Sequence, residues 1–117
     1  IALMAEHEGR LIGLINFRGQ DRIRVAHTGH FGISVHAAYR ERGVGGALIE
    51  ALLDWARAHP EIEKVCLGVF ANNPRAIHLY TKMGFQEEGR RIKEFRFGPG
   101  RYIDDIQMSM WVKPVRP

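Results

Sequence analysis

The sequence predicts an α/β fold: one mixed β-sheet with helices on its faces. Three observations carry this. Val44 to His59 has the periodicity of an amphipathic helix, Val65 to Phe70 is a compact apolar run directly after it, and short apolar runs set off by turn residues lie at both ends. The resulting order is ββ, β, α, β, α, ββ. Strand–helix–strand units take right-handed crossovers, which lay their helices on the sheet faces. The length of 117 residues suits one domain, 1–117.

Ile1 to Glu6 is apolar and meets a polar turn at His7-Glu8-Gly9-Arg10, after which Leu11 to Phe17 is apolar again. This reads as a hairpin. Arg18 to Arg24, with Gly19, Gln20 and Asp21, reads as a loop. Phe31 to Val35 is a strand, with Ile33 and Val35 on one face and Ser34 on the other. In the helix, Val44, Leu48, Ala51, Leu52, Trp55 and Ala56 form the buried stripe, and Pro60 ends it. Asn73 before Pro74 reads as an N-cap with proline at the first helical position. Ala76, Ile77, Tyr80 and Met83 form the inner face of that second helix, which Gly84 is placed to end. Phe85 to Val112 reads as two strands around Gly98-Pro99-Gly100.

Composition narrows the function classes. The net charge of +4 suits a polyanionic partner, either nucleic acid or a phosphorylated cofactor. The basic residues are scattered, apart from Arg22–Arg24 and Arg90–Lys93, without the aromatic ladder of single-strand binders. No nucleic-acid partner is therefore expected. No apolar run reaches the roughly 18 residues of a membrane helix, and no signal peptide opens the chain. The single cysteine, Cys66, fits a reducing, cytoplasmic setting, and its buried-strand position suits a core residue better than a nucleophile. His27 and His30 stand three apart with no third ligand, so no metal is indicated. The chain begins at Ile1, without Met and directly in apolar sequence, and is expected to be part of a longer protein.

The segment Arg40-Glu41-Arg42-Gly43-Val44-Gly45-Gly46-Ala47 joins the strand ending near Val35 to the long helix. Glycine lets backbone approach a ligand closely, and a helix N-terminus offers unpaired N–H groups with a partial positive charge. Together they suit a phosphate. A Walker loop needs Lys and Ser/Thr after its last glycine, where Ala47 stands, and a dinucleotide fingerprint needs a small residue where Leu48 stands. The remaining pattern, Arg/Gln-x-x-Gly-x-Gly/Ala, is met by Arg40, Gly43 and Gly45. A glycine-rich helix start without a ligand is the plainer alternative.

Here the chain resembles the GNAT superfamily of N-acetyltransferases over nearly all its length. Gly32-Ile33-Ser34-Val35 is similar to the family's central strand and Arg40 to Gly45 to its acetyl-CoA loop. Asn73-Pro74-Arg75-Ala76-Ile77-His78-Leu79-Tyr80, with Gly84-Phe85 following, is similar to its second motif. The tail from Gly89 to Met110, with Tyr102-Ile103-Asp104-Asp105, resembles a bacterial branch that acetylates small amines, amino acids or polyamines. Ala37 stands where many members carry proline. The resemblance implies a three-layer GNAT-like sheet lacking the family's usual N-terminal strand and two helices.

The resemblance also implies site roles. Main-chain groups of Ile33, Ser34 and Val35 would pair with the pantetheine arm as an added strand does. Arg40, Arg42, Gly43, Val44, Gly45, Gly46 and Ala47 would hold the pyrophosphate. Asn73 and Ala76 would flank the arm, although Asn73 also reads as a plain N-cap and both roles are compatible. Tyr80 would be the general acid that protonates the leaving thiolate, although its inner-face position equally suits a core tyrosine. A backbone N–H near Val35 would polarise the thioester carbonyl. A primary ammonium costs roughly 4.6 kcal/mol to deprotonate at pH 7, so a base is needed. His30 is the candidate, against the plainer reading of an exposed strand-end histidine; His27 or a residue preceding Ile1 are others. Asp104, Asp105 and the loop Arg18–Arg24 would border the acceptor. Acetyl-CoA is thus the expected co-substrate and a small-molecule amine the expected partner, with a homodimer as a common assembly for such domains. A protein N-terminal acetyltransferase and a non-catalytic acyl-CoA- or nucleic-acid-binding module are the alternatives; the presence of both Asn73 and Tyr80 argues against a silent module.

Overall fold

The computed structural model describes residues 1–114; positions 115–117, the last of the expected domain, lie outside the described residues. The elements are β1 (Ala2–His7), β2 (Arg10–Gly19), β3 (Thr28–Val35), α1 (Val44–Ala58), β4 (Lys64–Phe70), α2 (Pro74–Lys82), β5 (Gln86–Gly98) and β6 (Arg101–Trp111). Short 3₁₀ turns occupy Ile23–Val25 and Ala37–Tyr39. The strands form a six-stranded sheet in the order β1-β2-β3-β4-β6-β5, the mixed α/β architecture the sequence predicts. Two compact units are distinguishable: Ile1–Val65 with the described residues from Trp111, and Cys66–Met110.

In the first unit, β1 and β2 form a hairpin closed by Glu8 and Gly9, both at positive φ (52° and 78°) as a type I′ turn requires. The ladder slips between Ala5 and Glu6, so that Ile12 is inserted opposite no partner. This bulge leaves Ile12 and Gly13 both buried and then restores alternation, with Ile15 and Phe17 inward and Asn16 outward. Along β3, Phe31, Ile33 and Val35 stand opposite Phe17, Ile15 and Gly13. These residues therefore share a face, as the sequence predicts for Ile33 and Val35. Helix α1 lies against that face. A Cβ on Gly13 would stand 3.0 Å from Leu48 Cδ1 and 3.1 Å from Val44 Cγ1, so the absent side chain lets helix and strand approach. A Cβ on Gly29 would fall 2.2 Å from the ring of Phe17, which itself packs edge-on against Trp55 at 5.4 Å.

The buried stripe of α1 is Leu48, Ile49, Leu52, Leu53 and Ala56, each large side chain contributing about 2 kcal/mol by leaving water. It differs from the expected stripe: Ala51 is exposed and Trp55 half-buried, while Ile49 and Leu53 are inside. The apolar residues of this helix satisfy two neighbouring phases, and the surface of β2 and β3 selects one of them. The helix stops at His59 before Pro60, as expected. The polar stretch after Phe17 also differs slightly, since β2 continues to Gly19 and a 3₁₀ turn replaces the end of the expected loop.

In the second unit, α2 begins at an Asn73 N-cap whose Oδ1 accepts the Ala76 N–H at 3.2 Å, with Pro74 next. It ends in a Schellman motif: Phe85 N–H donates to the Tyr80 carbonyl and Gly84 N–H to that of Thr81, with Gly84 at φ 108°. Strands β5 and β6 form a long hairpin interrupted between Arg91 and Phe95, where Lys93 adopts φ 54°. Asp104 secures this bulge, its Oδ1 accepting the Lys93 N–H at 2.8 Å. Phe70 of β4 packs edge-on against Phe95 and Phe97 at 4.7 and 5.5 Å. No helix among the described residues is long and apolar enough to cross a membrane.

Candidate functional site

The site residues of the first unit cluster where β3 runs through the 3₁₀ turn into α1. His36 caps that turn, its Nδ1 accepting the Ala38 N–H at 3.1 Å. The backbone then reverses through Glu41 (φ 64°) and Gly43 (φ 80°). Gly43 is the N-cap of α1 and is left-handed; no side chain caps the helix and no acidic residue lies in its first turn. The opening N–H groups of an α-helix have no partner inside the helix. A Cβ at Gly43 or Gly46 would meet nothing within 4 Å, so these electropositive N–H groups lie in uncrowded surroundings suited to an anion.

Two arginines brace the loop. Arg40 Nε donates to the Val35 carbonyl at 3.4 Å, which ties the loop to the end of β3. The Arg42 guanidinium lies over the Tyr39 ring, 5.4 Å from its centre, in a cation–π contact. That ring is in turn met edge-on by His7 at 5.6 Å and His36 at 6.0 Å. Tyr39, His36 and His7 were not singled out from sequence. The only signal was a histidine just ahead of a short polar turn, and the packing of His7 depends on the hairpin.

The predicted β3 residues divide by face. Ile33 and Val35 are half-buried towards α1, whereas His30 and Ser34 are exposed on the other face. His30 stands opposite Arg18 of β2. Across the same pair of strands, Asn16 Oδ1 accepts the Gly32 N–H at 3.2 Å. The His36 N–H donates to the Ile12 carbonyl at 2.7 Å, so this amide beyond Val35 is already engaged. His27 stacks on Trp111 at 5.8 Å, and its carbonyl accepts the Glu63 and Lys64 N–H groups. Those contacts give His27 a packing role.

In the second unit, Asn73, Ala76 and Tyr80 lie along one helix. The Asn73 carbonyl oxygen is used as the helix cap, which leaves its amide N–H groups to serve a ligand. Tyr80 is 8% exposed and packs edge-on to Phe85 at 6.2 Å. Burial pushes its phenol above the ordinary value, because the phenolate is the form that loses solvation. Tyr80 therefore holds its proton throughout the neutral range, as a general acid must.

The two aspartates of the tail have different environments. Asp104 holds the β5 bulge and also accepts from Arg90 Nη1 at 3.4 Å. Asp105 is 9% exposed, and its Oδ2 accepts from Gln107 Nε2 at 2.6 Å. Opposite it, Gly68 of β4 would place a Cβ only 2.9 Å from Asp105 Oδ1. Sequence reasoning missed Gly68 and Gln107, since nothing local links them to Asp105.

Comparison with known proteins identifies the family. Residues 1–85 match the acetyltransferase (GNAT) family. The chain is 32% identical over 107 residues to the L-amino acid N-acetyltransferase AaaT of Escherichia coli, covering 92% of this chain and 65% of that protein. It is also 32% identical over 106 residues to the spermidine N(1)-acetyltransferase of Vibrio cholerae, covering 91% and 60%. The crystal structure of a GNAT-family acetyltransferase from Streptococcus pneumoniae superimposes with a TM-score of 0.90 at 30% identity, covering 96% of this chain and 66% of that one. The chain thus spans less than two thirds of the length of these curated relatives.

Proposed function

The chain belongs to the acetyltransferase (GNAT) family, and from that premise we propose that it transfers the acetyl group of acetyl-CoA to a primary amine of a small molecule. The observation that carries this reading is the α1 N-terminus, with its left-handed Gly43, its uncapped first turn and two arginines braced beside it. A pyrophosphate supplies the acceptors those amides lack. The names of two relatives, one acting on L-amino acids and one on spermidine, favour a small amine over a protein terminus.

In this reading, residues 40 to 47 bind the pyrophosphate, while the backbone of Ile33 to Val35 and the Asn73 amide engage the pantetheine arm. The neutral amine attacks the thioester carbonyl directly, forming the C–N bond as the C–S bond breaks. Tyr80 then gives its proton to the departing thiolate, and the proton shed by the acylated nitrogen restores the phenol. His30 is assigned as the base that takes the proton from the ammonium before attack.

The central test is calorimetric titration of the full chain with acetyl-CoA, followed by turnover measured through free-thiol release. Tyr80→Phe is expected to lower turnover by about 10²-fold or more with acetyl-CoA affinity nearly unchanged. Absence of acetyl-CoA binding sinks the whole reading, and unchanged turnover removes the acid role alone. His30→Ala is expected to depress the rate mainly below about pH 8, where little free amine exists without a base. A uniform change across pH would dismiss His30 as base.

A further inference from the structure

We propose that Tyr39 is a positioning residue for acetyl-CoA binding: its ring holds the Arg42 guanidinium, with its charge unspent, beside the N-terminus of α1, where a phosphate of the co-substrate takes it up. This rests on the acetyltransferase reading and deepens it, since that reading gives Arg42 to the pyrophosphate and Tyr39 no role.

Elsewhere in the chain, arginines are held by carboxylates: Arg57 by Asp54 at 3.5 Å, Arg90 by Glu87 at 3.0 Å and Arg91 by Glu94 at 3.3 Å. Such a pair fixes a guanidinium but neutralises it. Arg40 is fixed differently, its Nε donating to the Val35 carbonyl at 3.4 Å. Arg42 has neither kind of partner among the described residues and lies instead over the Tyr39 ring, 5.4 Å from its centre. The face of an aromatic ring attracts a cation but supplies no lone pair to its N–H groups. The donors of Arg42 are therefore left for a ligand, on a side chain exposed to solvent.

The ring is fixed before any ligand arrives. Tyr39 closes the 3₁₀ turn, its N–H donating to the His36 carbonyl at 2.8 Å, and His36 Nδ1 caps the same turn through the Ala38 N–H at 3.1 Å. His36 also meets the ring edge-on at 6.0 Å, and His7, at the end of β1, does so at 5.6 Å. A half-buried ring held in this way has already lost its rotamer freedom, so it restrains Arg42 at little further cost on binding.

Position makes the held charge useful. Arg42 directly precedes Gly43, the N-cap of α1, so its charge adds to the partial positive charge of the first-turn amides. An anion at that helix start draws donors from both. A phosphate has acceptor oxygens enough for the amides and the guanidinium together. A carboxylate holding Arg42 would compete with that phosphate, and an aromatic face does not.

The test is calorimetric titration of the full chain with acetyl-CoA, with kcat and KM followed by free-thiol release. Tyr39→Leu is expected to raise the Kd and KM for acetyl-CoA by about 2- to 5-fold, the value of an exposed cation–π contact, with kcat unchanged. Tyr39→Phe, which keeps the ring face, is expected to retain native affinity. Arg42→Gln is expected to raise Kd by about 10-fold or more, the value of a charge-assisted hydrogen bond, and adding Tyr39→Leu to it is expected to change nothing further. Equal affinity of Tyr39→Leu and the native chain overturns the proposal. So does a loss in Tyr39→Phe as large as in Tyr39→Leu, or a full further loss when Tyr39→Leu is added to Arg42→Gln, since the ring would then act on the loop and not through the guanidinium. Should Tyr39→Leu fail to fold, the native chain decides by NMR: the Arg42 side-chain protons are expected upfield of ordinary arginine values, under the Tyr39 ring, and to move when acetyl-CoA binds. Ordinary values reject the proposal. A native chain with no acetyl-CoA affinity sinks the acetyltransferase reading, whereas native affinity indifferent to Tyr39 sinks this proposal alone.

Discussion

At the scale of single residues, Tyr80 shows how one environment serves chemistry and leaves a trace in stability. Burial raises its pKa above the unfolded value of about 10. The folded chain therefore holds this proton more tightly than the unfolded chain. The associated stability is fully present below about pH 10 and is lost as pH rises through the folded value. Urea midpoints measured at pH 9 and pH 11 are expected to fall less for Tyr80→Phe than for the native chain, while Tyr39 and Tyr102 contribute alike to both. Equal declines would mean that Tyr80 is not the group shielded from water. Several site residues were legible from sequence because local chemistry dictates them. Asn73 before proline reads as a cap as well as a ligand for the pantetheine arm, and the structure uses its side-chain oxygen as the cap. Others were legible only as possibilities of type: His30 lies on the exposed face of β3, whereas His27 is absorbed into packing on Trp111. The Tyr39 ring that Arg42 covers is also met edge-on by a histidine 32 positions earlier, His7, and no window of sequence contains that contact.

At the scale of elements, spacing captured type and order but not phase or register. Helix α1 ends ahead of Pro60, and α2 begins at its Asn73 cap and ends at Gly84, since those signals act within a turn. The stripe of α1 settled one position from the expected one because Ile49 and Leu53 are as apolar as the residues they displaced. The bulge at Ile12 was invisible for the same reason, since an apolar run does not announce where alternation resets. Glycine in β3 has a definite cost structure. Gly29→Ala would push a methyl carbon into the Phe17 ring, which cannot retreat because Trp55 backs it. The substitution is expected to lower unfolding free energy by about 1–3 kcal/mol, the usual penalty for overpacking. Denaturant unfolding checks this, and a change within about 0.5 kcal/mol, the level of an innocuous surface substitution, would show that the ring adjusts freely.

For the molecule as a whole, connectivity was the readable part. A strand–helix–strand succession leaves few arrangements open, and the α/β sheet follows. The lateral order was not readable, since β6 is placed between β4 and β5 by long-range pairing rather than by any local signal. Nor was the contrast between Asp104 and Asp105, which are neighbours in sequence but stand in different environments. The uncapped start of α1 has one more consequence. A serine or aspartate ahead of Val44 would offer the first turn a side-chain cap, but a cap is worth only about a few tenths of a kcal/mol over glycine, and the left-handed backbone there (φ 80°) would strain it. Such a helix would also carry its own substitute for a phosphate, in permanent competition with any ligand. By holding Gly43 there, the chain makes its left-handed turn without strain and leaves the first-turn amides with no side chain to compete for them.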